Sequence, residues 1–372
     1  MEGENMEKGI SLGIGATANC NLNCGHCYSR PLRGHSLSLD EMMDLVDGKR
    51  ISSINFGTGE NILNPDFPKM IDNLHERGIK LSVTSNGYTI IVLPDEQLQK
   101  FNDVDISLDF GNEESQNRFR KGRSWNFVDK AIEKCQRLGV EFSITTALMN
   151  INYNEIPKLL RKAAEENCNL RTNVFKPVPK AGIFEYQLNY DQFWDAMRLL
   201  FTHGKMISCS EPIVNAMLDI PPIVPQSPCG RESLRVHPNG EVVPCVYWID
   251  SEEPIEVADG REMPSEYWTK GSATIYDLGK SFGPAFEKES FSKIRTIPKY
   301  CLDNCDRVEV CGGGCASRRY LNGRLDEPDQ YCPIYNRKEI PQIEVTKSKS
   351  EKDLMHSSYL CTLIFEGKKE NE

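Results

Sequence analysis

The sequence predicts an α/β protein: an incomplete barrel of six βα units, then a small cysteine-rich domain. Three observations point there. Short apolar runs alternate with amphipathic stretches from residue 10 to about 180. A proline-rich stretch, IPPIVPQSP at Ile220–Pro228, breaks regular structure. Beyond it the cysteines crowd: seven of the chain's fourteen lie between Cys229 and Cys332.

Strands are predicted at Ser11–Ala16, Ile51–Phe56, Lys80–Thr84, Val104–Phe110, Glu141–Leu148 and Asn169–Phe175. Strands separated by helices imply a parallel sheet with right-handed crossovers. Six units rather than eight imply a barrel open on one side. Between the first two strands, Ser38-Leu39-Asp40-Glu41 is a capping-box start. Arg77-Gly78 reads as a helix stop. Ser124 opens Trp125–Leu138, with Gly139 at the left-handed cap position. Helices Tyr190–His203 and Pro212–Leu218 follow. The proline break places a domain boundary there, giving 1–220, 221–335 and 336–372. In the second unit, Leu234–His237 and Glu241–Pro244 flank Pro238-Asn239-Gly240, a hairpin signal. The last segment is a charged tail with one apolar island, Tyr359–Phe365.

The bulk numbers narrow the function. A chain of 372 residues with 39% hydrophobic and 26% charged residues is ordinary for a globular protein with a sizeable core. A net charge of −10 argues against a general nucleic-acid binder, which needs a basic face. No run of about 18 apolar residues suggests a membrane span. The N-terminal MEGENMEKGI lacks the basic and apolar regions of a signal peptide. The expected location is therefore cytoplasmic, where a disulfide framework does not explain the cysteines. Clustered cytosolic thiols read as metal ligands; Cys135, Cys168, Cys209 and Cys361 are scattered and read as core residues.

The first cluster is CNLNCGHCYS, with Cys20, Cys24 and Cys27 in the loop after the first strand. In parallel barrels that rim is where sites are built. Zinc and iron–sulfur both suit clustered thiolates. His26, wedged between Gly25 and Cys27, is poorly placed as a fourth zinc ligand. Three thiolates on an iron–sulfur cluster leave one iron open to a ligand that is not protein. Along the fourth strand, period-two alternation puts Asp105, Ser107 and Asp109 on one face, which fits a wet cavity better than a filled core. Arg171 and Asn173 share a face of the sixth strand, the alternative being polar residues on an exposed edge.

CX3CX2C followed by Tyr28 resembles the radical S-adenosylmethionine superfamily. The resemblance implies that the open iron chelates the amine and carboxylate of the methionine moiety. Gly57-Thr58-Gly59-Glu60 is similar to the family's GGE motif, departing only at Thr58. There the glycines let backbone approach the cofactor, and Glu60 accepts a hydrogen bond from the methionine ammonium. Thr84-Ser85-Asn86-Gly87 resembles the family's TNG segment. Ser107, Asp109 and Asn173 take the ribose-facing and neighbouring cofactor positions. This likeness covers roughly residues 10–185.

The later cysteines resemble the SPASM extension of the same enzymes. Cys229, ten residues, Gly240, four residues and Cys245 are followed by Cys301-x3-Cys305-x5-Cys311-x3-Cys315 and then Cys332. The departure is three residues rather than two after Cys301. The pattern implies two auxiliary [4Fe–4S] clusters with crossed ligation. Cys229, Cys245 and Cys315 would hold the first, with Cys209 as a candidate fourth ligand unless that site is open. Cys301, Cys305, Cys311 and Cys332 would hold the second. Zinc, also bound by four cysteines, is the structural alternative.

The implied activity is reductive cleavage of S-adenosylmethionine to a 5′-deoxyadenosyl radical, followed by net oxidation of a substrate as a crosslink, thioether or dehydrogenation. A ribosomally made peptide is the expected substrate. Only nineteen residues precede Cys20, so the peptide is expected either to bind the barrel opening directly or to arrive with a separate leader-binding protein; a flavodoxin- or ferredoxin-type reductant is the other expected partner. Oxidation of a small molecule or tetrapyrrole is the second reading, and a non-catalytic iron–sulfur electron carrier the third. Asp250, Tyr247 and Arg171 are candidates for acid–base work by location. The stretch Val246–Tyr300, with Trp248, Tyr267 and Trp268, either covers the active site or packs on the surface.

Overall fold

The structure, a computed structural model, describes residues 9–222, 226, 229–231, 233–349 and 362–368. Six strands run parallel in chain order: β1 (Ile10–Ile14), β2 (Ile51–Phe56), β3 (Lys80–Ser85), β4 (Asp103–Ser107), β5 (Phe142–Leu148) and β6 (Asn169–Val174). Helices cover their outer face with apolar stripes; Ser124–Leu138 buries Val128, Ala131, Ile132 and Cys135. Ser38 and Glu41 close the capping box on Leu39–Val46, and Gly139 ends its helix at φ +64°. Of the proline break, 223–225 and 227–228 lie outside the described residues.

The strand limits differ most at β4, expected to reach Phe110. The Leu108 amide still donates to the Thr145 carbonyl at 2.9 Å. The next two amides, Asp109 and Phe110, instead donate to the Gln116 side-chain oxygen, at 3.0 and 3.2 Å. The chain therefore leaves the sheet after Leu108, and Asp109 no longer follows the alternation of Asp105 and Ser107.

The sheet is larger than six strands. β7 (Gly204–Cys209) was not expected, because GKMISC carries only a weak strand pattern. Its ladder partner is β13 (Thr362–Gly367), which enters antiparallel between β6 and β7. The apolar island is thus an inner strand from Thr362 onward; Tyr359, Leu360 and Cys361 lie outside the described residues. At the other edge, β8 (Ser233–Val236) pairs parallel with β1, from Ser11 with Ser233 to Ile14 with Val236. β9 (Glu241–Val243) returns from it through Pro238-Asn239-Gly240, where Gly240 takes φ +83°. A separate hairpin, β10 (Ile255–Glu256) with β11 (Glu262–Met263), precedes β12 (Ala273–Thr274), which pairs with β9. Segments on both sides of residue 220, and the tail, share one eleven-stranded sheet.

A buried ion triad joins the cysteine-rich segment to the barrel. The Arg318 guanidinium donates to both carboxylate oxygens of Asp329, at 2.5–3.1 Å, and to Glu211 at 2.8 and 3.3 Å. It lies over the rings of Tyr331 and Phe193, 4.8 and 5.8 Å from their centroids. Asp329 also accepts from the Cys315 amide at 3.0 Å and the Tyr331 amide at 3.1 Å. Tyr331 stacks on Phe193 at 4.1 Å and donates to the Leu188 carbonyl.

Phe365 of β13 is fully buried and meets Phe201 edge-on at 5.1 Å. Phe365→Ala should destabilise the protein by about 3–5 kcal/mol, as large core deletions do. A urea titration checks this: the midpoint should fall without a change in slope. An unmoved midpoint would show that β13 is not part of the core.

Candidate active site

At the C-terminal rim of β1–β3 the chain passes close to itself. A Cβ on Gly59, at φ +65°, would collide with the Thr17 carbonyl oxygen, so only glycine lets the loop after β2 lie against the loop after β1. The Glu60 amide then donates to the Asn19 carbonyl at 2.8 Å. Gly13 does the same for β8: a Cβ there would strike the Arg235 side chain.

The loops surround a cavity of about 270 Å³. Cys20, Cys24 and Cys27 line one side of it. Tyr28, Gly57, Thr58, Gly59, Glu60, Asn86, Ser107 and Asn173 also reach it. Cys229, Cys245 and Tyr247, from beyond residue 220, line it as well. Tyr28 spans the two sides: its hydroxyl pairs with that of Thr58 at 3.2 Å and its ring meets Tyr247 edge-on at 5.0 Å.

Glu60 is wholly buried, and burial pushes its carboxyl above the usual range. Its oxygens accept from the Ser85 hydroxyl at 2.5 Å and from the Asn86 and Thr89 amides at 3.0 and 2.6 Å. It therefore holds the loop after β3 while lining the cavity. Asn86 in turn donates to Cys20 Sγ at 3.6 Å and to Asn21 at 2.8 Å. Burial raises the Cys20 thiol to about 11 and also raises Cys24. Neutral thiols are thus favoured here until a cation arrives to hold the thiolates.

Three expected site residues lie off the cavity. Asp109 is buried; its desolvation is outweighed by the Arg120 guanidinium and by His26, which hold its carboxyl below the usual range. Arg120 meets it at 2.7 and 2.8 Å, and Asp109 also accepts from the Ala147 amide at 3.2 Å. Arg171 is interior rather than edge-exposed. It pairs with Asp103, and with Asp105 at 3.2 Å. The polar face of β4 is thus neutralised by ion pairs below the rim, and Ser107 alone of its three residues reaches the cavity. Asp250 braces a loop, accepting from the Thr269 hydroxyl at 2.6 Å and the Ser272 amide at 2.7 Å. Trp248, Tyr267, Trp268 and Tyr320 form a stacked aromatic group beside it, with Trp248 and Tyr320 centroids 4.0 Å apart. That stretch packs a satellite core.

The later cysteines separate into two groups. The Cys229 and Cys245 thiols are free and share a hydrogen bond, which, with the Lys176 ammonium, outweighs burial and lowers the Cys245 thiol to about 7; Cys315 is a close neighbour. Cys301, Cys305, Cys311 and Cys332 interact among themselves. Cys209 joins neither. It ends β7 in the main core, donates to the Glu211 carbonyl at 4.0 Å, and burial raises its thiol to about 12. Its position is set by the β7–β13 ladder, which the cysteine spacing does not report. Among the described residues, no three His, Cys, Asp or Glu side chains close around a single metal ion.

Sequence reasoning missed Arg120, Lys176 and Arg235, all of which reach the cavity. Lys176 sits two residues past β6, on the rim, and its ammonium lies 4.9 Å from the Tyr247 ring centroid. The rim position alone would have flagged it. Arg235 was hidden because its contact with Gly13 depends on β8 joining β1.

Residues 14–163 match the model of the radical SAM superfamily. This stretch carries the domain of radical SAM enzymes. Such enzymes use S-adenosylmethionine and a [4Fe–4S] cluster. The chain is 23% identical over 348 residues to the mycofactocin maturase MftC of Mycolicibacterium smegmatis, covering 88% of this chain and 85% of that one. It is 29% identical over 167 residues to a probable GTP 3′,8-cyclase of Methanococcus maripaludis, spanning 40% of this chain and about half, 53%, of the cyclase. Its fold is similar to anSMEcpe with bound AdoMet (TM-score 0.63, 18% identity, 88% of this chain and 95% of that one). It is also similar to Streptococcus suis SuiB bound to precursor peptide SuiA (TM-score 0.63, 14% identity, 87% and 76%). No helix among the described residues is long and apolar enough to cross a membrane.

The Arg120–Asp109 pair behind the Cys24 loop should be strongly coupled. Arg120→Met leaves a buried carboxylate uncompensated and should cost about 3–5 kcal/mol. Adding Asp109→Leu should restore most of that loss. Urea unfolding of both variants checks it; a double variant as weak as the single one would show that the pair is not a closed unit.

Proposed function

We propose that this radical SAM enzyme oxidatively modifies a ribosomally made peptide, using one cofactor-binding [4Fe–4S] cluster and two auxiliary clusters in a SPASM-type segment. One observation carries the reading: Cys20, Cys24 and Cys27 share a single cavity with Cys229 and Cys245. A substrate in that cavity touches both the radical source and an electron acceptor.

The residues present fit the groups. Three thiols converge on the rim, leaving a fourth iron for the cofactor, and the cavity brings Glu60 and backbone freed by Gly57 and Gly59 beside them. Cys20, Cys24 and Cys27 would hold the first cluster; Glu60 and Asn86 would receive the methionine ammonium and order the cysteine loop. Ser107 and Asn173 would face the ribose. When bound and reduced by one electron, cluster and cofactor supply a 5′-deoxyadenosyl radical able to remove a substrate hydrogen atom. The protein's part is orientation and exclusion of water. Tyr28, braced on Thr58 and Tyr247, divides the cofactor side from the substrate side. Lys176 lies beside Cys245 and Tyr247, where electron density would arrive.

Cys229, Cys245 and Cys315 would hold the first auxiliary cluster with one position not filled by Cys209. Cys301, Cys305, Cys311 and Cys332 would hold the second. The peptide substrate is supported by the near full-length likeness to a maturase and by the fold shared with SuiB, which binds a precursor peptide. A separate leader-binding protein and a flavodoxin- or ferredoxin-type reductant complete the scheme. Of the three residues considered for acid–base work, Tyr247 is the one that reaches the cavity.

Anaerobic reconstitution should load about twelve iron per chain, four for each of three clusters. The Cys20/Cys24/Cys27→Ala variant should keep roughly two thirds of that iron and make no 5′-deoxyadenosine. Cofactor cleavage by that variant would remove the loop from the active site.

The peptide reading is tested by mass spectrometry. A short peptide encoded beside the gene, co-expressed with the protein, should lose hydrogen through a new bond. An unchanged mass, with 5′-deoxyadenosine still produced, would turn the assignment toward a small molecule.

A further inference from the structure

The Cys20–Cys27 loop is a wall with two faces. One looks into the cavity shared with Cys229 and Cys245. The other borders a separate depression of about 520 Å³, lined by Gly25, Arg30, Phe119, Lys121 and Tyr186 among others. Every residue lining that depression comes from Gly25 to Tyr186, so the cysteine-rich segment does not contribute to it.

This outer face is basic in a protein whose net charge is −10. Arg118, Lys121 and Arg123 stand exposed on and just after the helix Glu113–Arg120. Arg30 donates to the carbonyls of Cys24 and Gly25 at 2.5 and 3.2 Å, and Arg33 to the Leu22 carbonyl at 2.7 Å. The acidic groups nearby are Glu113, Glu114, Glu155 and Glu185; Glu114 meets Arg118 at 3.5 Å and Glu155 meets Lys158 at 2.9 Å. Cations therefore outnumber carboxylates around the loop.

The face also touches the loop directly. The Gly25 amide donates to the Phe119 carbonyl at 3.3 Å, and Cys24 Sγ lies 4.0 Å from the Arg120 carbonyl. His26 stacks on Phe119 with centroids 5.1 Å apart and planes inclined by 18°. Phe119 meets Tyr186 edge-on at 5.5 Å. A continuous aromatic and backbone layer thus runs from the outer depression to the thiols.

We infer that this basic face docks an acidic one-electron donor protein of the flavodoxin class, which reduces the cluster at Cys20, Cys24 and Cys27 from the side opposite the substrate cavity. The inference rests on the function proposed above and adds where the electron enters. The donor loses one electron and the cluster gains one, and no proton has to move. Opposite charge on the two surfaces orients the encounter and speeds it at low ionic strength. Entry from the outer face lets the donor work while the cavity is filled.

The test reverses three exposed charges outside the cavity: Arg118→Glu, Lys121→Glu and Arg123→Glu together. Oxidised flavodoxin is titrated into reconstituted enzyme at low and high salt. Wild type should bind more weakly as salt rises, and the variant should bind at least about tenfold more weakly at low salt, with little salt dependence. With reduced flavodoxin the variant should make 5′-deoxyadenosine correspondingly slowly; with dithionite it should match wild type. Flavodoxin binding equal to wild type would overturn the inference. So would an equal loss with dithionite, which would mean that the face serves folding or the peptide. The milder Arg118→Ala/Arg123→Ala pair should show the same split, smaller in size. Wild type that makes no 5′-deoxyadenosine with dithionite would instead sink the enzymatic reading, and the binding titration would still decide the docking face.

Discussion

The arrangement depends on one buried cation. Arg318 carries its charge into a place without water and is kept there by two carboxylates, Asp329 and Glu211, and by the faces of Tyr331 and Phe193. Desolvating such a set is costly, and its attraction offsets that cost only when every donor is met. Here the fork of the guanidinium is met on both sides. Asp329 also holds the Cys315 amide, and Gly314 has no room for a side chain against it. The triad thus fixes Cys315 and its neighbours relative to Glu211, just past β7, and the helix Tyr190–His203.

From that anchor the two cysteine groups acquire positions relative to the barrel. β8 extends the β1 edge, and Cys229 and Cys245 flank the β8–β9 hairpin. Their thiols then face the rim that carries Cys20, Cys24 and Cys27. The cavity is a product of sheet extension and the ion triad together. Neither alone would bring residues more than two hundred positions apart in the chain into one cavity.

The local parts of this arrangement were legible in the sequence because local physics determines them. Alternating periodicity marked the six parallel strands, Ser38 and Glu41 announced their capping box, and Pro238-Asn239-Gly240 its turn. What escaped was set by long-range pairing. β7 has little strand character of its own and exists as the partner of β13. Cys209 looked near Cys229 in sequence, but that ladder holds it in the core. Asp109 and Arg171 carried the right chemistry at strand ends, yet each is satisfied by an ionic partner distant in sequence. A polar residue facing inward says only that it needs a partner, not that the partner is a ligand.

The position of β13 has a consequence for biosynthesis. Its Leu363 carbonyl accepts from the Thr172 hydroxyl across 191 residues. At about 5–20 residues per second, a ribosome needs roughly 10–40 s to make that intervening stretch. During that time the edge of β6 has emerged without its neighbour, an open template for wrong pairing. Cys20, Cys24 and Cys27 are already outside the ribosome then, on a barrel that cannot finish. The Cys20–Cys27 loop is therefore exposed outside the ribosome well before the strand that covers the edge of β6 has been made.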